Sequence, residues 1–256
     1  MKLVTWNINS VRAREQRLVD WLTKHQPDVI CLQELKVTDD LFPRDKVEAL
    51  GYQVATHGQK TYNGVAILSR TPLEDVRIGL GDDVEDDHAR LISAKVEGIR
   101  VICGYFPNGG DMDSDKYVYK LRWFERLRAH LDRNFSKDEP LALLGDYNVA
   151  TFGDDIARPE ELEGTVLANP EIRESLARIR DFGLSDVFRP FHPRGGVYTW
   201  WDYRGMGFER GNGMRIDHHY YTDCLAKRVI GAAVDRTERE GKGASDHAPV
   251  LVEIQH

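Results

Sequence analysis

The chain has 256 residues, 41% of them hydrophobic and 30% charged, with a formal net charge of -7. That balance supports a sizeable core under a well-solvated surface. No apolar run approaches the ~18–20 residues of a membrane span, and the negative total by itself argues against a nucleic-acid partner.

The first predicted element is a strand at the N-terminus, LVTWNI, and the chain starts directly with it. A basic head, apolar stretch and small-residue cleavage site are missing, so no signal peptide is expected. Ser10 is positioned to cap a helix running to Pro27, with Val11, Leu18, Trp21 and Leu22 facing inward. Strands follow at DVICLQ, YQVATHG, GVAILS, RLISAKV and RVICGYF, each supported by alternation or a short apolar run. Between them GDDVEDD, residues 81–87, holds five acids and reads as a solvated loop. A helix over about 116–134 is predicted from the spacing of Tyr117, Leu121, Phe124, Leu127 and Leu131. After the strand LALLGD, residues 152–172 lack periodicity and read as a long surface loop, of the kind that is often functional. A helix over 171–182 and strands at VYTWWDY, IDHHYY and APVLVEI complete the series, with a glycine-rich irregular stretch at 202–215.

No linker, low-complexity segment or short repeat interrupts the chain, so residues 1–256 read as one domain. Hairpin-like strand pairs with occasional helices suggest an α/β fold in which two sheets pack face to face with helices outside. Cys31, Cys103 and Cys224 are odd in number, and two sit inside apolar runs. Free buried thiols in a reducing cytoplasm are expected. Two stretches are locally basic: 116–133 carries six cations against two acids, and 189–215 carries five against two. Such stripes are compatible with a polyanionic substrate, although helix faces often look like this.

Several strands end in polar side chains. Asn7 and Asn9 follow the first strand, Glu34 the second, Tyr105 and Asn108 another, and Asp146 and Asn148 the run LALLG. MRID ends in Asp217, and ASDHAPV opens the last strand with Asp246 and His247. Taken singly these are bland, since Asx residues after strands make turns and a lone Glu is solvated. Taken together they form one polar rim if the strands share an edge. Acid and amide oxygens suit a hard cation such as Mg²⁺. Zinc fits poorly, because thiolates are missing and one His sits in the cluster. His218 and His219 are adjacent on a strand, point to opposite faces and read as structural.

The motifs TWNINSVRAR (5–14), PDVICLQELK (27–36), HGQKTYNGVAILSR (57–70), GYFPNG (104–109), LLGDYN (143–148), TWWDYRGMGF (199–208), MRID (214–217) and SDHAPV (245–250) occur in this order. With them the chain resembles exonuclease III-type apurinic/apyrimidinic endonucleases of the endonuclease/exonuclease/phosphatase superfamily over almost its whole length. The resemblance implies a four-layer α/β sandwich, two mixed sheets covered by helices, with the site at one end. It implies a Mg²⁺-dependent DNA-repair nuclease, with Mn²⁺ as a substitute, that cuts duplex DNA 5′ of abasic sites and trims 3′ ends. A cytoplasmic monomer without a membrane is expected.

Position by position, the resemblance makes Glu34 the principal metal carboxylate, with Asn7 beside it and Asp246 nearby; Asp146, Asn148 and His247 join the metal group. Asp146 orients or deprotonates the attacking water, and Asn148 holds that water or the transition-state oxygen. Tyr105 contacts the phosphate, and His247 acts on it with Asp217 as partner. Asn9 departs from relatives that place an Asp there. Arg90, Asn108 and Lys116 match positions near the DNA backbone. Trp200, Met214 and Ile216 match a pocket for a flipped, baseless sugar, although packing of both Trp200 and Trp201 in the interior is an alternative. VLANPEIR, 166–173, differs from the commonest family pattern by a short insertion around Ala168 and Asn169.

Three other readings compete. One is an enzyme confined to 3′ ends, without abasic-site cleavage. Another is a phosphodiesterase of the same superfamily acting on lipid or inositol phosphates, which would lack GYFPNG and TWWDYR followed by MRID. The last is a DNA-binding protein that has lost catalysis, which would lack a metal carboxylate or the histidine; Glu34, Asp146, Asp246 and His247 are all present.

Overall fold

Side chains on β1 (Lys2–Asn7) alternate between two faces. Leu3 enters the layer between the two sheets, while Val4 and Trp6 pack under helices. The same alternation recurs through the computed structural model, which describes residues 1–255. In chain order follow α1 (Glu15–His25), β2 (Val29–Gln33), α2 (Arg44–Glu48), β3 (Gln53–His57), β4 (Val65–Ser69), β5 (Glu74–Ile78), β6 (Leu91–Val96) and β7 (Ile99–Tyr105). Then come α3 (Asp115–Asn134), β8 (Leu141–Asp146), α4 (Pro159–Leu162), α5 (Pro170–Arg180), β9 (Leu184–Asp186), β10 (Asp217–Thr222), α6 (Asp223–Ala226), β11 (Val229–Val234) and β12 (Val250–Ile254).

The strands form two six-stranded sheets, ordered β11-β12-β1-β2-β4-β3 and β5-β6-β7-β8-β10-β9. Each is mixed: β1 and β2 are parallel in one, β7 and β8 in the other, and the remaining pairs are antiparallel. Leu3, Val29, Cys31, Val65 and Ile67 of the first sheet meet Val101, Cys103, Ala142, Leu144 and Tyr221 of the second. On the outer face of the first sheet, Ile30, Leu32 and Ala66 bury Leu18, Trp21 and Leu22 of α1. On the outer face of the second, Ile102, Leu143 and Tyr220 bury Trp123, Phe124 and Leu127 of α3 and Ile172 and Leu176 of α5. The result is the expected four-layer α/β sandwich.

Some elements differ from their sequence reading. α1 begins at Glu15, because Ser10 adopts a left-handed backbone (φ 82°) and gives its N–H to the Glu34 carbonyl at 2.7 Å. VYTWWDY is not a strand. Its partner switches within three residues: Thr199 and Trp200 N–H bond to Met214 O, and Trp201 N–H bonds to Asp246 O, so only isolated bridges form and no ladder builds. Residues 152–172 are not simply a surface loop, for they contain α4 and bury Asp155, Ile156 and Ala168. Asn169 caps α5, accepting from Ile172 N–H at 3.0 Å. β5, β9 and β11 went unread. β5 is an exposed edge, β9 has three residues, and β11 is an edge strand centred on Gly231, Ala232 and Ala233 with an irregular register at Val229/Gly231.

The basic stripes are also largely consumed. Arg126 binds Asp82 and Asp86 of the acidic loop, which is therefore anchored rather than freely solvated. Arg189 and Arg215 are paired with Asp155, and Arg215 also with Asp186.

Gly145 shows how closely the two site-bearing strands approach. In the β7–β8 register it lies opposite Gly104, and a Cβ built on it would sit 1.9 Å from the Gly104 carbonyl oxygen. Gly145→Ala must therefore push apart the strands carrying Tyr105 and Asp146. The expected loss in urea denaturation is about 3 kcal/mol, the upper end for overpacking; an unchanged midpoint would show that the strands yield freely.

Candidate active site

The site is the continuation of the inner face past the end of the core. Leu144 is inner core, and two residues on Asp146 points into the same layer; Cys103 leads to Tyr105 and Leu3 to Asn7 by the same period. These are C-terminal ends of parallel strands. β10 runs antiparallel to β8, so its first residue, Asp217, pairs with Asp146. β12 runs antiparallel to β1, and the segment entering it brings Asp246 and His247 to the same end. Tyr220 and His218 point outward, His219 and Tyr221 inward. Both histidines are buried against backbone carbonyls of Val149 and Val250, and burial lowers their pKa values to about 4 and about 3. They are structural and neutral.

Asn7 is central: its Nδ2 donates to Glu34 Oε1 at 2.9 Å and to Asp146 Oδ2 at 3.0 Å. Tyr105 donates its hydroxyl to the same Glu34 oxygen at 3.0 Å. The other Glu34 oxygen binds Lys36 Nζ at 2.8 Å, and Lys36 also donates to Asn9 Oδ1 at 2.6 Å. Asn9 Nδ2 donates to Asp246 Oδ1 at 2.9 Å, and Trp200 Nε1 donates to Asp246 Oδ2 at 3.0 Å. Asn148 donates its backbone N–H to Asp146 Oδ1 at 2.9 Å and its side-chain amide to the Phe106 carbonyl at 3.0 Å. Asn108 Nδ2 donates to Asn148 Oδ1 at 3.1 Å. His247 Nδ1 lies 2.9 Å from Asp217 Oδ2, and its Nε2 lies 3.7 Å from Asp146 Oδ2. Thr199 donates its hydroxyl to Asp217 at 2.6 Å.

Backbone strain is concentrated here. Asn9, Ser10, Glu34, Lys36 and Asn148 all have left-handed φ values between 44° and 82°. Such residues cost on the order of 1–3 kcal/mol each and persist where surroundings over-determine them. Glu34 is fixed on both sides: Ser10 N–H takes its carbonyl, and Leu35 and Lys36 N–H bond to Gly64 and Asn63 carbonyls.

The charges are mutually adjusted. Burial pushes the Asp146 carboxyl up to about 7, against the pull of His247. Burial opposes charge on His247, but Asp217 and Asp146 outweigh it and carry the ring up to about 10, so the imidazolium is the resident form. Burial acts against the Glu34 anion too, and the Lys36 ammonium more than offsets it, leaving that carboxyl below its ordinary value. Burial, with Glu34 and Asp146 nearby, raises the Tyr105 phenol well above its usual range.

Among the described residues, Glu34, Asp146 and His247 are the one group of three such side chains whose ligand atoms lie within 4.8 Å of one another. Oxygens from Glu34 and Asp146 make a hard donor pair that fits a divalent cation. Asn7 turns its amide nitrogen toward both carboxylates, its oxygen accepting from Asn9 N–H, and the Asn148 oxygen accepts from Asn108. Asp246 adjoins His247 but lies outside that trio, its oxygens taken by Asn9 and Trp200.

Beside the cluster opens a cavity of about 590 Å³ lined by Tyr62, Arg90, Tyr105, Asn108, Lys116 and Tyr119. Arg90 stacks on Tyr105, 5.0 Å from its ring centre, and donates to the Tyr105 carbonyl. On the opposite flank Trp200 faces the site while Trp201 is core, packed on Phe208. Met214 and Ile216 are 1% and 2% exposed and back the Trp200 ring together with Ala150, Ile156 and Ala168.

Lys36, Thr199, Ser245 and Lys120 escaped the sequence reading. Ser245 Oγ donates to the Asn7 carbonyl at 2.7 Å and accepts from His247 N–H, tying the last strand to the first. Lys120 was visible in principle: it falls three residues after Tyr117 and four before Phe124, inside the buried stripe of α3. Burial lowers its pKa to about 7, against the Asp146 charge.

The sequence matches the endonuclease/exonuclease/phosphatase family over residues 4–247. It is 36% identical to an exodeoxyribonuclease III of Haemophilus influenzae, with all of both chains covered. Its structure is similar to that of an AP endonuclease from Archaeoglobus fulgidus, with TM-score 0.97, 38% identity and full coverage of both chains. It is equally similar to a 3′ phosphatase from Neisseria bound to product DNA hairpin, with TM-score 0.96, 39% identity and full coverage of both.

The position of His247 against Asp217 makes a direct prediction. In Asp217→Asn the ring loses its nearest anion, and its titration should fall by roughly one to three pH units, read by NMR of labelled histidine. A titration that does not move would remove Asp217 as the source of the imidazolium.

Proposed function

The chain belongs to the endonuclease/exonuclease/phosphatase family, and from that premise we propose that it hydrolyses DNA phosphodiesters through the strand-end cluster, cutting duplex DNA 5′ of abasic sites and trimming 3′ ends. The chain is a DNA-repair nuclease, a hydrolase of phosphodiester bonds. The observation that carries the chemical reading is the Asp217–His247–Asp146 array beside Glu34, buried between the sheets.

A divalent cation, Mg²⁺ with Mn²⁺ as a substitute, would be held by Glu34 with Asp146, and with Asn7, Asn148 and Asp246 around it, and would neutralise charge on the phosphate; His247, as an imidazolium, offers it no lone pair. Asp146 takes the proton of the attacking water; its burial tunes it to about 7, where a general base works well at neutral pH. Asn148 holds that water with an amide that adds no charge. His247, held charged by Asp217, donates to a non-bridging oxygen. Tyr105 stays protonated, and its single O–H, on Glu34 in the free enzyme, turns to donate to the phosphate. Arg90, Asn108 and Lys116 contact the flanking backbone from the adjacent cavity. Lys116 is exposed, so its charge is available to a phosphate.

For the abasic sugar, Trp200 is the wall and Met214 and Ile216 its support. One observation favours the narrower reading confined to 3′ ends: Leu162 and Leu167, from the segment around Ala168 and Asn169, pack on the same cluster as Trp200, on the flank that an extruded nucleotide would have to enter. No described helix is long and apolar enough to cross a membrane. We read the protein as a cytoplasmic monomer whose Cys31 and Cys103 are buried thiols.

The test is a rate comparison in one Mg²⁺ buffer. A duplex with a single internal abasic-site analogue is set against a recessed 3′ end, a 3′-phosphate end and intact duplex. Cleavage at both the internal site and the ends is expected. Activity at ends alone would replace the abasic reading with the narrower one, and activity on none would remove both.

Chelator should abolish cleavage and added Mg²⁺ should restore it. Glu34→Ala should require far more Mg²⁺ for half-maximal rate. Asp146→Asn and His247→Ala should each lower kcat by roughly 10²–10⁴, with kcat normalised to the folded fraction from thermal melts, because His247→Ala also leaves Asp217 buried without its partner.

A further inference from the structure

Lys120 has 0% exposure, yet no carboxylate pairs with it directly. Its Nζ donates to three backbone carbonyls: Asn108 at 3.0 Å, Asn148 at 2.8 Å and Val166 at 2.6 Å. An ammonium has three N–H donors and no acceptor, so three carbonyls saturate it. The three carbonyls belong to three separate segments: the loop after β7, the turn after β8 and the segment between α4 and α5. Two of them are the main chains of Asn108 and Asn148, whose side-chain amides bond to each other at 3.1 Å.

The local sequence makes room for the lysine. Gly109 is at φ 98°, and a Cβ there would meet Lys120 Cδ at 2.9 Å and Val166 Cβ at 3.3 Å. Asn148 is held left-handed at φ 50° directly above the ammonium that takes its carbonyl. Its remaining contacts, to Asp146 and Phe106, do not reach the Val166 segment. Ala150 N–H reaches the Leu167 carbonyl at 2.9 Å and ties two of the segments; among the described side chains it is Lys120 whose hydrogen bonds reach all three.

We propose that Lys120 is a positioning residue for hydrolysis: its ammonium fixes the Asn108–Asn148 amide pair, and the segment around Val166, in the geometry that seats the attacking water beside Asp146. It touches neither phosphate nor water, and acts through Asn148. The proposal rests on the reading of Asn148 as the holder of that water. A lysine that only filled a hole in the fold would affect melting and would cost the same factor with or without the Asn148 amide.

The experiment is a double-mutant cycle on the full chain with Mg²⁺, using whichever of the abasic or recessed 3′-end duplexes the wild type cuts faster. Lys120→Met keeps the length of the stem and removes the donors. Its kcat should fall about 100-fold, the usual cost of ångström-scale misplacement, while KM stays within about threefold. In an Asn148→Ala background the same change should cost less than about threefold, because partners acting as a unit are not additive. Lys120→Gln, which retains two donors and is less apt to unfold the site, goes through the same cycle, with kcat normalised to the folded fraction from thermal melts. It should recover part of the lost kcat.

Equal factors in both backgrounds overturn the proposal, as does wild-type kcat in the folded Lys120 variants. Those outcomes, with Asn148→Ala itself slow, leave the assignment of Asn148 standing. A fast Asn148→Ala enzyme fails that assignment and takes the lysine proposal with it.

Discussion

The site depends on strand direction. β1 and β2 are parallel in one sheet, β7 and β8 in the other, and β1 packs across the layer from β8. Side chains alternate with period two, so inner-face positions beyond the core point into the gap between the sheets. At this end of the sandwich that gap receives Asn7, Tyr105 and Asp146 by that period. Glu34, one residue past β2, is off it, since Gln33 holds the inner position against Cys103, and it enters with a left-handed backbone at φ 52°. Polar groups there find one another because the core below brings their backbones within hydrogen-bonding range. The glycine pair Gly104 and Gly145 permits the closest part of that approach.

Burial of this many polar groups is expensive, and the arrangement offsets it by pairing almost every atom. Asn7 bridges two acids, Asn9 links Lys36 to Asp246, and Thr199 and His247 share Asp217. A buried charge without partners costs several kcal/mol, whereas hydrogen bonds to charged groups return about 1.5–3 kcal/mol each. Low dielectric then turns the pairing into function: the same burial that lifts Asp146 toward neutrality strengthens the hold of Asp217 on His247. The left-handed residues around Glu34 and Asn148 are the backbone counterpart, strained segments that the surrounding hydrogen bonds keep in place.

The sandwich, and the gathering of polar strand ends at one edge, were legible because they rest on period-two patterns that stop in polar residues; the roles of those residues came from the family resemblance. LALLGDYN contains both the inner strand and its functional end, and Asp146 needs no distant information to be suspected. Ser245 was hidden because its partner Asn7 is 238 residues away. Lys36 has its ion-pair partner Glu34 two residues back, but its bond to Asn9 spans 27 residues and both Glu34 and Lys36 are left-handed, which no periodic pattern announces. VYTWWDY misled because its composition is strand-like while its neighbours switch from Met214 to Asp246 within two residues. Lys120 was overlooked because it was counted as one more cation in a basic stripe, although its place between Tyr117 and Phe124 on the buried face of α3 marked it as internal.

That misplaced cation bears on how an acidic protein can handle a polyanion. The stretch 116–133 looks basic in sequence, but its charges are divided among different tasks. Lys120 is inside, Arg126 is bound to Asp82 and Asp86, and Arg128 pairs with Asp132. In 189–215, Arg189 and Arg215 are committed to Asp155 and Asp186, and Arg204 to Asp202. A broad positive field is therefore not what draws a phosphate to this end of the molecule. On the proposed reading the groups that meet it are few: the His247 imidazolium, the Tyr105 hydroxyl, Arg90 held on two tyrosine rings, Lys116, and the cation the carboxylates would hold. Fixed donors at short range discriminate by geometry, since they cannot follow a phosphate that is displaced. On the proposed reading, recognition of a damaged or terminal nucleotide then follows from which phosphates can enter the gap between the sheets, and the net charge of -7 prevents the rest of the surface from competing for undamaged DNA.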